Sequence, residues 1–285
     1  MTLKGRLIEN VPNCDTNEYI VISDRINVFF MNGKESYRLV ECIGLYQLHP
    51  EYTPFIGKEF AIYRILQIGE SHYINQLYAP DAVDKYSLKY FCDNWWISPC
   101  SDVTYDYGLS FNTKDVIEKY MQGNPADSVG IFNNVVKSFS KVVLGCEISS
   151  ISADDKKLYR YFAFMNFYQM PAIYNAMNIW ESMCKSAIKT GSIDDAYMAW
   201  NTLEAESVRV VDKVIEVLNP KCIVFTSVSA TETYKHGNGR YVENSRVIYT
   251  SHPGYPYTWW KSMDRYNGKR AVDVFEEGLR KIYLT

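Results

Sequence analysis

The stretch that decides the fold reads YRILQIGESHYI and spans residues 63–74. Its first half is a short apolar run, which leads directly into Gly69, Glu70, Ser71 and His72. A strand that only fills a core usually ends in a turn, without a carboxylate, a hydroxyl and an imidazole side by side. In parallel α/β sheets, ligands bind beyond the carboxyl ends of the strands. The stretch therefore predicts a buried strand that leads into a functional site.

Strands and helices alternate from about residue 60 to the end of the chain. Short apolar runs predict strands, whereas apolar residues at three- and four-residue steps predict amphipathic helices. The predicted strands cover residues 63–68, 158–166, 222–226 and 245–252, and the predicted helices cover residues 112–123, 127–143, 171–191, 200–218 and 272–282. The helix that opens at Pro171 should bury a face formed by Ile173, Met177, Trp180, Cys184 and Ile188. This alternation predicts an α/β three-layer sandwich with a mainly parallel sheet.

The first 57 residues do not show this alternation of strands and helices. Two pieces, EYIVISDRINVFF at residues 18–30 and SYRLVECIGLY at residues 36–46, are rich in β-branched and aromatic residues. We therefore expect an N-terminal β-rich extension over residues 1–57, packed on an α/β domain over residues 58–285.

Composition narrows the function classes. Hydrophobic residues make up 47% of the chain and charged residues 22%, which excludes disorder as the main state. No apolar run approaches the roughly 18–20 residues of a membrane span, and the N-terminus lacks signal-peptide features, so we expect a cytoplasmic protein that does not contact membranes. The seven cysteines are scattered without a C-x-x-C pair, and we expect no metal and no cofactor. The net charge of −3 is unlike that of a basic nucleic-acid binder, but a local basic face remains possible.

Three of the predicted strands end in polar residues that a core would not select. These ends are residues 69–72, Asn166, and the pair Ser251 and His252. Because the carboxyl ends of parallel strands meet at one edge of a sheet, we expect the three ends to line a common cleft.

Four stretches, taken in order, resemble the uracil-DNA glycosylase superfamily. GESHY at residues 69–73 is similar to the glycine-led first motif, and FAFMNFYQMP at residues 162–171 is similar to the strand whose terminal Asn reads a flipped base. VIEVLNPKCIVFTSVSA at residues 214–230 resembles the helix–Pro-Lys–strand signature, and SHPG at residues 251–254 resembles the second catalytic motif. The resemblance implies a three-layer α/β/α domain and a DNA glycosylase-like protein.

The resemblance also implies a role for each site residue. Asn166 would read the Watson–Crick edge of a flipped base, because its amide offers both a donor and an acceptor. Glu70 and His252 would be catalytic: the carboxylate stabilises positive charge on the sugar, and the imidazole donates to the departing base. The other base-binding candidates are Ser71, His72 and Tyr73, and the DNA-contacting candidates are Trp259, Trp260, Lys261 and Arg265. The expected partner is single-stranded or damaged DNA.

The motifs depart from the family pattern, and the departures leave alternatives open. Ser71 replaces an aspartate, His72 replaces a proline, Ser227 replaces a glycine and Gly254 replaces a serine. One alternative is a glycosylase-fold protein that binds a nucleobase or nucleic acid without cleaving it. Another is an unrelated α/β hydrolase that uses Glu70 together with the two histidines, at positions 72 and 252. The two tryptophans could also pack on the last helix, with solvated cations beside them.

Overall fold

The computed structural model of the protein describes residues 34–72, 95–97, 112–123, 129–172, 174, 178–190 and 192–285. Within these ranges five strands form one sheet: β1 (Phe55–Ile56), β2 (Ile65–Gly69), β3 (Phe162–Asn166), β4 (Cys222–Phe225) and β5 (Val247–Tyr249). Their order in the sheet is β1-β3-β2-β4-β5. Neighbouring strands are parallel except β1 and β3, which run antiparallel. The predicted α/β class with a mainly parallel sheet is confirmed.

Helices separate most of the strands. Those within the described ranges are α1 (Lys34–Cys42), α2 (Gly44–Leu48), α3 (Phe60–Tyr63), α4 (Thr113–Met121), α5 (Val129–Val143), α6 (Ala153–Lys156), α7 (Ile179–Thr190), α8 (Ile193–Leu218), α9 (Val228–His236), α10 (Pro256–Trp259) and α11 (Ala271–Tyr283). Short 3₁₀ turns occur at Pro50–Tyr52, Lys157–Tyr161 and Asp264–Tyr266. None of these helices combines the length and the apolar character that crossing a membrane requires.

Local signals explain where the helices begin and end. The side chain of Asn112 accepts a hydrogen bond from the backbone N–H of Asp115 and caps α4, as predicted. The turn after this helix closes at Gly123, whose φ of 86° lies in the left-handed region. Ser192 caps α8 in the same way, through the N–H of Asp195.

Strand β2 is buried along its whole length, which accounts for its apolar character, and the one polar side chain within it, Gln67, accepts a hydrogen bond from the hydroxyl of Tyr159. Its alternate residues belong to two separate apolar clusters. Leu66 and Ile68 pack in a cluster that includes Leu203 of α8, whereas Ile65 packs in a second cluster with Phe132 of α5.

The strand predicted over residues 36–46 is wrong, because this segment forms α1 and α2. Leu39, Ile43 and Tyr46 are buried, and their four- and three-residue spacing is that of one helical face. Downstream, β1 pairs with β3 and so joins residues N-terminal to position 58 to the sheet. The predicted β-rich piece over residues 18–30 lies outside the described residues.

The face predicted for the helix after Pro171 is also wrong. Helix α7 begins only at Ile179, and Ile179, Met183 and Ala187 are its buried apolar residues. Ile188 is exposed instead. Trp180 and Cys184 are half-buried, and Trp180 packs against the core as predicted. The other two members of the predicted face, Ile173 and Met177, lie outside the described residues.

Candidate functional site

The carboxyl ends of four parallel strands meet at one edge of the sheet. β2 lies between β3 on one side and β4 on the other, so the strand order reverses around β2. In open α/β sheets a crevice forms where the order reverses, and ligands bind there. Glu70 directly follows β2, and Ser227 follows β4 by two residues. The sequence-predicted site therefore begins at the place where such a sheet usually binds its ligand.

Glu70 is held by a hydroxyl from the neighbouring strand end. Oγ of Ser227 donates to Oε2 of Glu70 over 2.8 Å. The same Oγ accepts from the backbone N–H of Ala230 and caps α9, which places the carboxylate beside this helix terminus. Burial raises the pKa of Glu70, the Ser227 hydrogen bond opposes the rise, and the nearby Glu181 adds to it. A carboxyl group with a raised pKa suits proton transfer near neutral pH.

Asn166 ends β3 and lies directly across from Gly69 in the register of β2. A Cβ atom added to Gly69 would lie only 2.5 Å from Oδ1 of Asn166, so this close approach requires a glycine. Beyond the strands, the backbone N–H of Phe167 donates to the carbonyl of Gly69, and that of Tyr168 donates to the carbonyl of Glu70. The side-chain amide of Asn166 is partly exposed and makes no hydrogen bond to any residue that the structure describes. Its donor and acceptor are thus available to a ligand.

His252 follows β5 at the same edge. The backbone N–H of Gly254 donates to Nδ1 of His252 over 3.2 Å, which assigns the imidazole proton to Nε2. Burial lowers the pKa of His252 to about 4, so the ring is neutral at pH 7 and Nε2–H is a donor. From α5, the amide of Asn134 donates to the carbonyl of Pro253 over 2.7 Å and fixes the turn that carries the ring.

The three residues after Glu70, which are predicted to bind a base, differ in burial and in their contacts. Ser71 is partly buried. His72 is buried, its Nε2 lies 3.0 Å from Oγ1 of Thr113, and its ring meets Tyr52 edge-on at 5.0 Å. These contacts tie the loop to α4, which is an anchoring role. Tyr73 lies outside the described residues, so its place in a base pocket stays a prediction, as do those of Ser71 and His72.

One of the predicted DNA contacts is corrected. Trp259 is completely buried and packs against Phe275 of α11, so it belongs to the core. The adjacent Trp260 is 45% exposed, and Lys261 and Arg265 are exposed as well. The short helix α10 turns one tryptophan inward and the next one outward. Contact of Trp260, Lys261 and Arg265 with DNA stays a prediction.

Sequence reasoning missed two features of this edge. In the sequence comparison Ser227 is only a departure from a glycine, although its position directly after a parallel strand indicates that it shares the edge with Glu70. Tyr255 and Tyr257 are exposed beside Trp260, and Nζ of Lys261 lies 4.5 Å from the centre of the Tyr257 ring. The pattern YPYTWW contained both tyrosines, but only the helix phase shows which rings face outward.

The spacing of the strands bears on whether one ligand could reach all three groups. Asn166 ends β3 and His252 follows β5, and these two strands lie three positions apart in the sheet, which corresponds to roughly 14 Å. One nucleobase with its sugar could contact both groups only if the two side chains reach towards each other. Convergence of Glu70, Asn166 and His252 on one ligand remains a prediction. Among the described residues, no group of three or more His, Cys, Asp or Glu side chains could hold a metal ion.

No family model matches the chain, and no curated protein or solved structure is significantly similar to it. The resemblance to the uracil-DNA glycosylase superfamily therefore rests on the four sequence stretches alone.

Proposed function

We propose that the protein is a divergent DNA glycosylase-like enzyme, which binds a flipped uracil or modified base and hydrolyses its N-glycosidic bond. The proposal includes a three-layer α/β/α arrangement, for which the two separate apolar clusters on alternate residues of β2 are the support. The site would occupy the carboxyl edge of the sheet, where the strand order reverses around β2.

The observation that carries the proposal is the pairing of Gly69 with Asn166. An amide held over a glycine, with no hydrogen-bond partner among the described residues, can offer a donor and an acceptor to the edge of a base. Hydrogen-bond readout of an extruded base requires this kind of group.

The chemistry follows from the two remaining groups. Water attacks C1′ of the sugar, the C–N bond breaks, and the base leaves with the bonding electron pair. Nε2–H of neutral His252 donates to a carbonyl oxygen of the departing base and stabilises its negative charge. Ionised Glu70 stabilises the positive charge on the sugar and accepts the proton that the attacking water releases. Ser227 holds the carboxylate in place through its 2.8 Å hydrogen bond.

The loop after His252 would grip the nucleic acid. Exposed Tyr255, Tyr257 and Trp260 can stack on bases, and Lys261 and Arg265 can neutralise phosphates. An aromatic tip flanked by cations is the combination that unstacking a base and holding the backbone require.

The test is base release from oligonucleotides that contain uracil, hypoxanthine, xanthine or a bulky modified pyrimidine. Activity leaves abasic sites, which appear as strand breaks after alkali. We expect His252→Ala to lower the rate by about 10²–10³-fold, the usual loss for one donor to a developing anion. Glu70→Gln should cost a comparable factor while binding is retained. His236→Ala, at an exposed position, is the matched control and should leave the rate unchanged.

A second candidate is a base-binding protein without cleavage, and Ser71 favours it because a hydroxyl stands where the family motif has a carboxylate. Tight binding with no release of any base, and equal binding by wild type and Glu70→Gln, would retire the enzyme and leave this function. Cleavage of simple esters that depends on His72 would instead support the unrelated hydrolase.

A further inference from the structure

Two glycines face each other between α5 and the turn that carries His252. A Cβ atom added to Gly130, in the first turn of α5, would lie 3.2 Å from Cα of Gly254. Neither glycine has a φ in the left-handed region, so the backbone conformation alone does not require a glycine at either position. Within a helix, moreover, glycine is less favourable than alanine. The close approach of the two segments therefore accounts for this pair of glycines.

The imidazole of His252 folds back over Gly254. A Cβ atom added to Gly254 would lie 2.9 Å from Cε1 and 3.2 Å from Nδ1 of the ring, and 3.1 Å from Cγ1 of Ile131. The backbone N–H of Gly254 donates to the same Nδ1 over 3.2 Å. A side chain at position 254 would therefore have to displace either the ring or Ile131, and the ring lies nearer.

Helix α5 also holds the carbonyl side of this turn. The side-chain amide of Asn134 donates to the carbonyl of Pro253 over 2.7 Å. The helix is fixed to α11, because Ser138 and Lys141 both donate to the carboxylate of Glu276, over 3.3 Å and 2.9 Å. The turn that carries the imidazole is therefore attached to a helix that a second helix holds in place.

We propose that Gly254, together with Gly130 and Asn134 of α5, positions the imidazole of His252, and that the serine of the family motif would not serve at position 254. The inference rests on the proposed function, because it concerns the donor to the departing base. Nδ1 is occupied by the N–H of Gly254, so Nε2–H is the group that remains for a ligand. The glycine at position 254 is then part of how this site is built and is not a sign of lost activity.

Gly254→Ser, which restores the family motif, tests the proposal in the base-release assay. We expect the rate of release to fall by about 10²-fold, because a misplacement of about 1 Å costs roughly that factor. The dissociation constant for the oligonucleotide should stay unchanged, since the ring acts on the departing base. Gly44→Ala is the control and should keep the wild-type rate, because nothing lies within 4 Å of an added Cβ there.

Nitrogen NMR of the full chain with labelled histidines tests the positioning without any need for activity. The signals of His252 are identified by their absence in His252→Gln. Gly254→Ser should shift the Nδ1 signal, because the hydrogen bond that this atom accepts is lost. If the wild type releases no base, the proposed function fails, whereas this measurement still decides whether Gly254 positions the ring.

Two neighbouring asparagines of α5 supply a matched pair of variants. Asn134→Ala removes the hydrogen bond to Pro253, and Asn133→Ala removes the one that Asn133 accepts from the hydroxyl of Tyr120 over 2.9 Å. Each variant loses one partly buried hydrogen bond from the same turn of the same helix. Only Asn134→Ala should move the signals of His252, and it decides the matter if Gly254→Ser does not fold.

A folded Gly254→Ser with wild-type His252 signals would overturn the proposal. Equal shifts of these signals in the two asparagine variants would overturn it as well, because the effect would then be a general loosening of α5. So would a slower Gly254→Ser enzyme whose only change is weaker oligonucleotide binding.

Discussion

Oδ1 of Asn166 lies 2.5 Å from the point where a Cβ atom of residue 69 would stand, so the position of this amide depends on a glycine at residue 69. The amide that would read a base is held over the backbone of the neighbouring strand. The ring of Phe164 closes the same space, 3.0 Å from that point.

Gly69→Ala is therefore expected to displace the amide of Asn166. The new methyl group must push away Oδ1 or the Phe164 ring, at a cost of about 1–3 kcal/mol in unfolding free energy. Base binding should fall at least about tenfold, measured by titration with an oligonucleotide that contains uracil. Gly44→Ala is the control, because nothing lies within 4 Å of an added Cβ there. Unchanged binding by Gly69→Ala would remove Asn166 from the site.

Ser227→Ala should alter both a helix cap and the titration of Glu70. Loss of the cap of α9 should cost about 1 kcal/mol of stability. The hydrogen bond from Ser227 favours ionised Glu70, so its loss should raise the pKa of Glu70 further. NMR titration of the Glu70 carboxyl carbon measures that shift.

The matched control for this variant is Ser192→Ala, which removes the cap of α8 without touching Glu70. It should lower stability by a similar amount and leave the Glu70 titration where it is. A Glu70 titration that Ser227→Ala does not move would show that the hydroxyl does not hold the carboxylate in solution.

The sequence predicts the long, regular elements of this fold well, for physical reasons. Helices α8 and α11 each bury one continuous face, so their three- and four-residue periodicity is strong over many turns. Strand β2 is buried on both faces and appears as a short run that is apolar except for Gln67. In contrast, α1 and α2 are short, and a few apolar residues at mixed spacing fit a strand equally well.

Other features cannot be read from local pattern. Helix α7 has two apolar rows, and periodicity cannot tell which of them, the one with Met183 or the one with Ile188, faces the core. The contact between Glu70 and Ser227 joins residues 157 positions apart and leaves no local signal. Only the parallel order of β2 and β4 brings these two side chains together.

The unfolding free energy of the protein should fall as the pH is lowered from about 6.5 to about 4, because of His252. The folded pKa of about 4 lies below the ordinary 6.5, so the unfolded chain binds this proton first. Stability from this group is then complete above about pH 6.5 and is lost as the pH falls towards 4, by an amount on the order of 2 kcal/mol. Urea unfolding between pH 4 and pH 7 measures the slope.

His252→Gln should flatten that slope, because an amide does not titrate. His236→Gln, at an exposed position on α9, should keep the wild-type slope. Equal slopes for wild type and His252→Gln would mean that the pKa of His252 is the same in the folded and unfolded states.

The two adjacent tryptophans should separate stability from DNA binding. Trp259 is fully buried against Phe275, so Trp259→Ala should lower the unfolding free energy by about 3–5 kcal/mol. Trp260→Ala should change the unfolding free energy by no more than about 0.5 kcal/mol, because the side chain is 45% exposed. The same variant should weaken binding to single-stranded DNA by about 1–3 kcal/mol, because stacking on a base is lost.

Lys261→Ala should reduce the slope of log affinity against log salt by about 0.7, the share of one phosphate contact on a single strand. Fluorescence anisotropy with a labelled oligonucleotide at several salt concentrations measures both effects, and thermal unfolding checks that each variant is folded. Salt-independent binding, or full binding by Trp260→Ala, would show that this loop does not contact DNA.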